Sequence, residues 1–76
     1  MKIVTIAAGY AHIFRDSAKD LYPEPMNINF AGEVERTKNG MWKAIPSTAL
    51  GQVRRFPTYA TRREAAEALA DGNITL

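Results

Sequence analysis

The chain has 76 residues, 46% of them hydrophobic and 24% charged, with a formal net charge of +2 and no cysteine. That size and usage predict one small globular domain rather than a disordered segment, and the missing cysteines exclude a disulfide framework and a cysteine-built zinc centre. No run approaches the roughly 20 apolar residues of a membrane span, and an N-terminal apolar run of about six residues is short for a secretory signal. A cytoplasmic protein without a membrane partner is therefore expected.

In chain order, Lys2 to Ala7 is rich in β-branched residues (Ile3, Val4, Ile6) and reads as a strand. Gly9 ends or bends it. Tyr10 to Phe14 allows two readings, a second extended piece or the start of a short helix running to Leu21. Tyr22-Pro23-Glu24-Pro25 must be non-helical, because each proline pushes its predecessor toward extended geometry. This segment joins residues 1–26 to a module over residues 27–72 within a single domain of residues 1–76.

Asn27 to Arg36 alternates Ile28, Phe30, Gly32 and Val34 with polar neighbours, the period-2 pattern of a half-buried strand. Lys38-Asn39-Gly40 predicts a hairpin through a type I′ turn at Asn39-Gly40. Trp42 to Pro46 is the return strand, with Trp42 and Ala44 on one face. Pro46 to Gly51 makes a looser connection to a further strand, Gln52 to Phe56, which Pro57 ends. Thr61-x-x-Glu64 is a capping box that opens a helix. Arg63 and Glu67 are spaced to pair on its exposed side, Ala65, Ala66, Leu69 and Ala70 form a narrow apolar stripe, and Gly72 is the expected C-cap. The helix is expected to cross the sheet face carrying Val34, Trp42 and Phe56. The fold class that results is α+β, an antiparallel sheet of three or four strands with one C-terminal helix packed on one face.

Catalytic chemistry finds little to stand on. His12 is the single histidine; Asp16 four residues on offers a crude acid/base pair, but a packed or surface histidine on a strand or loop is the simpler reading. One histidine without cysteine argues against a structural metal site. Asp16, Asp20 and Glu24 read as solubilising groups on a short helix, and Ser17, Ser47 and Thr48 have no activating base in sequence context. The five glycines form neither a phosphate loop nor a dinucleotide fingerprint. Asn73-Ile74-Thr75 fits the glycosylation pattern by chance in a cytoplasmic protein. No cofactor and no enzymatic activity are expected. Trp42 could serve as a stacking platform for a base, but its place after the turn and its spacing with Ala44 assign it to the core.

Charge is unevenly distributed. Ala31 to Arg63 holds seven Lys/Arg against the two acids Glu33 and Glu35, whereas the rest of the chain holds three bases and six acids. Arg36 and Lys38 flank the hairpin, Lys43 lies on the return strand and Arg55 on the last strand. These four are the candidate contacts for phosphate on a basic sheet face, opposed by Glu33 and Glu35. Arg62 and Arg63 lie in the first turn of the helix.

Gly32-x-Val34-x-Arg36, Asn39-Gly40-x-Trp42-x-Ala44, Gly51, Phe56 and Thr61-x-x-Glu64-Ala65 together resemble the three-stranded-sheet-plus-helix modules of Arm-type integrase N-terminal domains and plant AP2-type domains. The resemblance implies duplex DNA as partner, with the sheet face opposite the helix in the major groove and Arg36, Lys38, Lys43 and Arg55 as contacts. It leaves Trp42, Phe56, Ala65 and Leu69 for the core. The chain departs from that pattern in its two glutamates and in an N-terminal region that could add a fourth strand. In layout the chain is also similar to small phage accessory proteins, among them anti-CRISPR inhibitors. Two functions are thus expected to compete: a non-catalytic nucleic-acid-binding module of phage or mobile-element type, and a phage-type inhibitor that binds a host protein complex. A third option is a homodimer closed through an edge strand.

Overall fold

A computed structural model describes residues 1–15 and 30–74. The short helix expected up to Leu21, the Tyr22–Pro25 joint, the acids Asp16, Asp20 and Glu24, the first residues of the Asn27 strand and Thr75 lie outside the described residues.

Among the described residues five strands and one α-helix follow one another: β1 (Lys2–Ala7), β2 (Tyr10–Phe14), β3 (Phe30–Arg36), β4 (Trp42–Pro46), β5 (Thr58–Tyr59) and α1 (Arg62–Ala70). The strands form one antiparallel sheet in the order β1-β2-β3-β4-β5, each paired with its sequence neighbour. The fold is α+β with the C-terminal helix packed against the sheet, as the pattern predicts, and the sheet is wider than three or four strands. Tyr10–Phe14 takes the extended reading, which supplies one of the additional strands.

The last strand differs in position. Gln52 to Phe56 is not a strand; pairing begins after Pro57, at Thr58, and lasts two residues. The Pro57 carbonyl accepts from the Ala44 amide at 3.0 Å, so the chain approaches β4 beside the proline even though Pro57 itself has no amide to donate. Before it, Ser47–Ala49 forms a single 3-10 turn.

Strand alternation sorts the side chains onto two sides. Ala11, Val34 and Ala44 are paired across the sheet and lie under the helix. With Ile13, Ala31, Ala65, Ala66 and Leu69 they make the main core, against which Ile3, Trp42 and Tyr59 pack. Alanines at the contact let helix and sheet approach closely, and Trp42 is spent on this core. Phe56 is not part of it. It packs with Ile45 and Ala49 in a second, smaller cluster on the outer side of the sheet, because Ile45 alternates with Ala44.

A bulge explains a further difference. Phe14 pairs with Phe30 and Ile13 with Gly32, so β3 carries one extra residue, Ala31, against β2. The extra residue reverses the alternation: Phe30 turns to the outer side, away from Val34, while Ala31 joins the core under the helix. Gly32 makes the bulge possible. Its φ is +145°, and a Cβ there would run into the Ile45 carbonyl oxygen and lie 2.9 Å from the Pro46 Cα.

The hairpin turn also differs from the expected type I′ turn, and needs one left-handed residue instead of two. Among the described residues only glycines have positive φ, so Asn39 is right-handed and Gly40, at φ +82°, takes the left-handed position alone. Gly40 donates to the Thr37 carbonyl and the Thr37 amide to Met41, the pattern of a type I turn followed by a left-handed glycine. The helix ends match their expected roles. Thr61 Oγ1 accepts from the Glu64 amide at 3.1 Å. At the C-terminus Gly72 donates to the Leu69 carbonyl and Asn73 to that of Ala68, a Schellman motif with Gly72 at φ +72°.

Candidate functional site

The four candidate cations occupy three places. Arg36 pairs with Trp42 across β3 and β4 and therefore belongs to the helix side of the sheet. Lys38 sits at the turn. Lys43 lies on the outer side, between Glu35 of β3 and Thr58 of β5 in register. Arg55 is on the exposed segment between the 3-10 turn and β5 rather than on a strand. The register thus gathers Arg36, Lys38 and Lys43 around one end of the β3–β4 hairpin, and leaves Arg55 beside the second cluster.

These cations share a second property. None of the four has a side-chain hydrogen bond or ion pair with a described residue, whereas other basic side chains are engaged. Arg15 donates to the Phe30 carbonyl, Arg54 to Gln52, and Arg62 to Thr5 Oγ1 at 3.0 Å. Arg63 pairs with Glu67 at 3.5 Å, both exposed. Arg36, Lys38 and Arg55 are exposed and Lys43 is half-buried.

The outer side of the sheet carries a polar cluster that sequence reasoning missed. His12 pairs with Glu33 in register, and Tyr10 with Glu35. The Tyr10 hydroxyl donates to Glu33 Oε2 at 2.6 Å and lies 2.9 Å from His12 Nε2, which is itself 3.6 Å from Glu33 Oε2. With the hydroxyl proton on the carboxylate side, the Tyr10 oxygen is left to accept from His12 Nε2–H. The Tyr10 ring meets His12 edge-on at 5.2 Å and Phe30 stands against the other ring contact of His12 at 5.4 Å. The Phe30 position is a consequence of the bulge. The bond to Glu33 holds the Tyr10 proton and pushes its pKa up to about 12, with burial and the negative charges of Glu33 and Glu35 acting in the same direction.

His12 and Glu33 are far apart in the chain, and it is the pairing of β2 with β3 that brings them together. The available signal was the period-2 spacing of Tyr10 with His12 and of Glu33 with Glu35, which puts each pair on one side of a strand. His12 itself is half-buried on a strand, as the simpler reading has it.

Among the described residues no helix is long and apolar enough to cross a membrane. No family model matches the chain, and no curated protein or solved structure matches it. Among the described residues the fold is a small α+β meander capped by one helix, with a group of cations that have no described partner at one hairpin end.

Proposed function

We propose that this chain is a non-catalytic nucleic-acid-binding module of the cytoplasm, of phage or mobile-element type, that meets duplex DNA at the β3–β4 hairpin end. Arg36, Lys38 and Lys43 are its primary phosphate contacts and Arg55 an accessory one. The observation that carries this reading is that these cations have no intramolecular partner among the described residues, while Arg15, Arg54, Arg62 and Arg63 do. Cations without an internal partner give up no ion pair or hydrogen bond on meeting phosphates, and each releases counterions from the duplex.

The measurement is fluorescence anisotropy of a labelled duplex across a salt series. Three phosphate contacts predict a logarithmic slope of about −2.7, which is an affinity loss of about 40-fold between roughly 50 and 200 mM salt. Replacing Arg36, Lys38 and Lys43 by alanine should leave a slope of less than about one unit, the share of Arg55, and Arg55→Ala alone should lower it by that amount. Unchanged binding by the triple variant overturns the proposal.

One observation favours the competing reading, an inhibitor that docks on a host protein complex. Leu50 and Val53 are exposed large apolar residues, Val53 fully so, and they lie just before Arg54 and Arg55 in the chain. A protein partner seated there predicts binding that depends on Val53 and responds weakly to salt.

A further inference from the structure

We propose that Tyr10, His12 and Glu33 form a binding site for a divalent first-row transition ion on the outer side of the sheet. The juxtaposition is of three donor atoms from two adjacent strands. Tyr10 Oη, His12 Nε2 and Glu33 Oε2 lie 2.9, 2.6 and 3.6 Å from one another. The circle through three atoms so spaced has a radius of about 1.8 Å, and zinc bonds to oxygen and nitrogen are about 2.0–2.2 Å. An ion seated roughly 1 Å above that plane therefore reaches all three donors at ordinary bond length without moving the strands.

The chemistry of the donors agrees with the geometry. No set of three His, Cys, Asp or Glu side chains converges among the described residues; here the third donor is a phenol oxygen. One imidazole nitrogen with two oxygens suits zinc and copper and disfavours soft, thiolate-seeking ions. Donors so spaced subtend angles of about 75–120° at such an ion, the spread of one face of a five- or six-coordinate centre rather than of a tetrahedral one, which leaves further positions for water. His12 and Glu33 each keep 18% of their side-chain surface exposed, so an ion can approach from the outer side with its remaining water. Glu35, in register with Tyr10, adds negative charge beside the site. The ring contacts of Tyr10 and Phe30 with His12 fix the imidazole plane before any ion arrives.

Binding displaces the Tyr10 hydroxyl proton to solvent, and the proton that His12 carries on Nε2 passes to Nδ1, so that the ring stays neutral and binds through Nε2. The oxidation state of the ion is unchanged. The site differs from the cysteine-built centre that the sequence excludes, and it is independent of the cations at the hairpin end.

The test uses the full chain with Zn2+ in calorimetry and Cu2+ in visible absorption. One equivalent of Zn2+ should bind, and Cu2+ should produce a phenolate-to-copper charge-transfer band. Tyr10→Phe, which keeps the ring, should remove the band and weaken Zn2+ by at least about tenfold; Glu33→Gln should weaken it similarly. Far-ultraviolet circular dichroism checks that both variants fold. If Cu2+ gives no such band, if the band persists in Tyr10→Phe, or if Zn2+ binding is equally strong in both folded variants, the site does not exist.

Discussion

Replacing Gly32 by alanine tests the account of the sheet most directly. At φ +145° an L side chain is strained wherever it has room, at a cost of about 1–3 kcal/mol. Gly32 has no room. The added Cβ would meet the backbone of β4 at Ile45 and Pro46, and backbone cannot rotate away as a flexible side chain can. The rung must open, and two ladder hydrogen bonds at about 1 kcal/mol each would go with it. The total is about 3–5 kcal/mol, against an expected stability of roughly 4–11 kcal/mol for a chain of this length. Gly40→Ala is the control. Gly40 also has positive φ, but nothing lies within 4 Å of the Cβ position, so only the conformational cost of about 1–2 kcal/mol applies. Urea unfolding followed by far-ultraviolet circular dichroism and Trp42 emission gives both values. If Gly32→Ala costs no more than Gly40→Ala, close approach of β3 and β4 does not constrain this position and the reasoning fails.

The helix and the outer cluster give two further tests. Leu69 is 2% exposed in the main core, so Leu69→Ala should cost about 2–5 kcal/mol in the same unfolding experiment; a loss below about 1 kcal/mol would mean that α1 contributes little to the core. In the metal-free protein Tyr10 should ionise near 12 rather than 10 in an ultraviolet titration, identified by its absence in Tyr10→Phe. Because the folded-state value is the higher one, the stabilisation is fully present below about pH 10 and is lost as pH rises toward 12. Glu33→Gln removes the largest cause of the shift and should bring the Tyr10 value down toward 10; an unchanged titration would show that the bond to Glu33 is not the cause.

How much of this was legible in the sequence depends on whether the information is local. The capping residue Thr61, the stripe Ala65, Ala66 and Leu69, and the Schellman glycine Gly72 all lie within one helix, and each stands where its chemistry predicts. Val34, Trp42 and Ala44 also follow from simple alternation. Phe30 and Phe56 do not. Phe30 changes sides because Ala31 is inserted against β2, and a bulge is a property of two strands together that one strand cannot announce. Phe56 leaves the expected core because pairing with β4 starts only after Pro57. The basic residues were legible as a group, but their division between the helix side, the turn and the outer side depends on register. The Tyr10–His12–Glu33 cluster needed the same register.

Those displacements also decide which surface is free to act. The outer side of the sheet is the side that a groove-docking module would present. Here one end of it is covered by Phe56 and Ala49 over Ile45. Its middle is occupied by His12 and Glu33, with Tyr10 and Glu35 alongside in the next row. Carboxylates at that depth would face phosphate at a cost, since desolvating them beside a polyanion gains nothing in return. Lys43 is the member of the candidate set on that side, at the row nearest the turn. The favourable approach for a duplex is therefore along the hairpin end, where Arg36 and Lys38 flank the turn and the glutamates lie behind them. The same glutamates that oppose a duplex on the sheet surface, together with His12 and Tyr10, make a cation the better-matched occupant of that surface. The pairing of β2 with β3 and of β3 with β4 thus keeps the carboxylates of the outer side apart from Arg36 and Lys38 at the hairpin end.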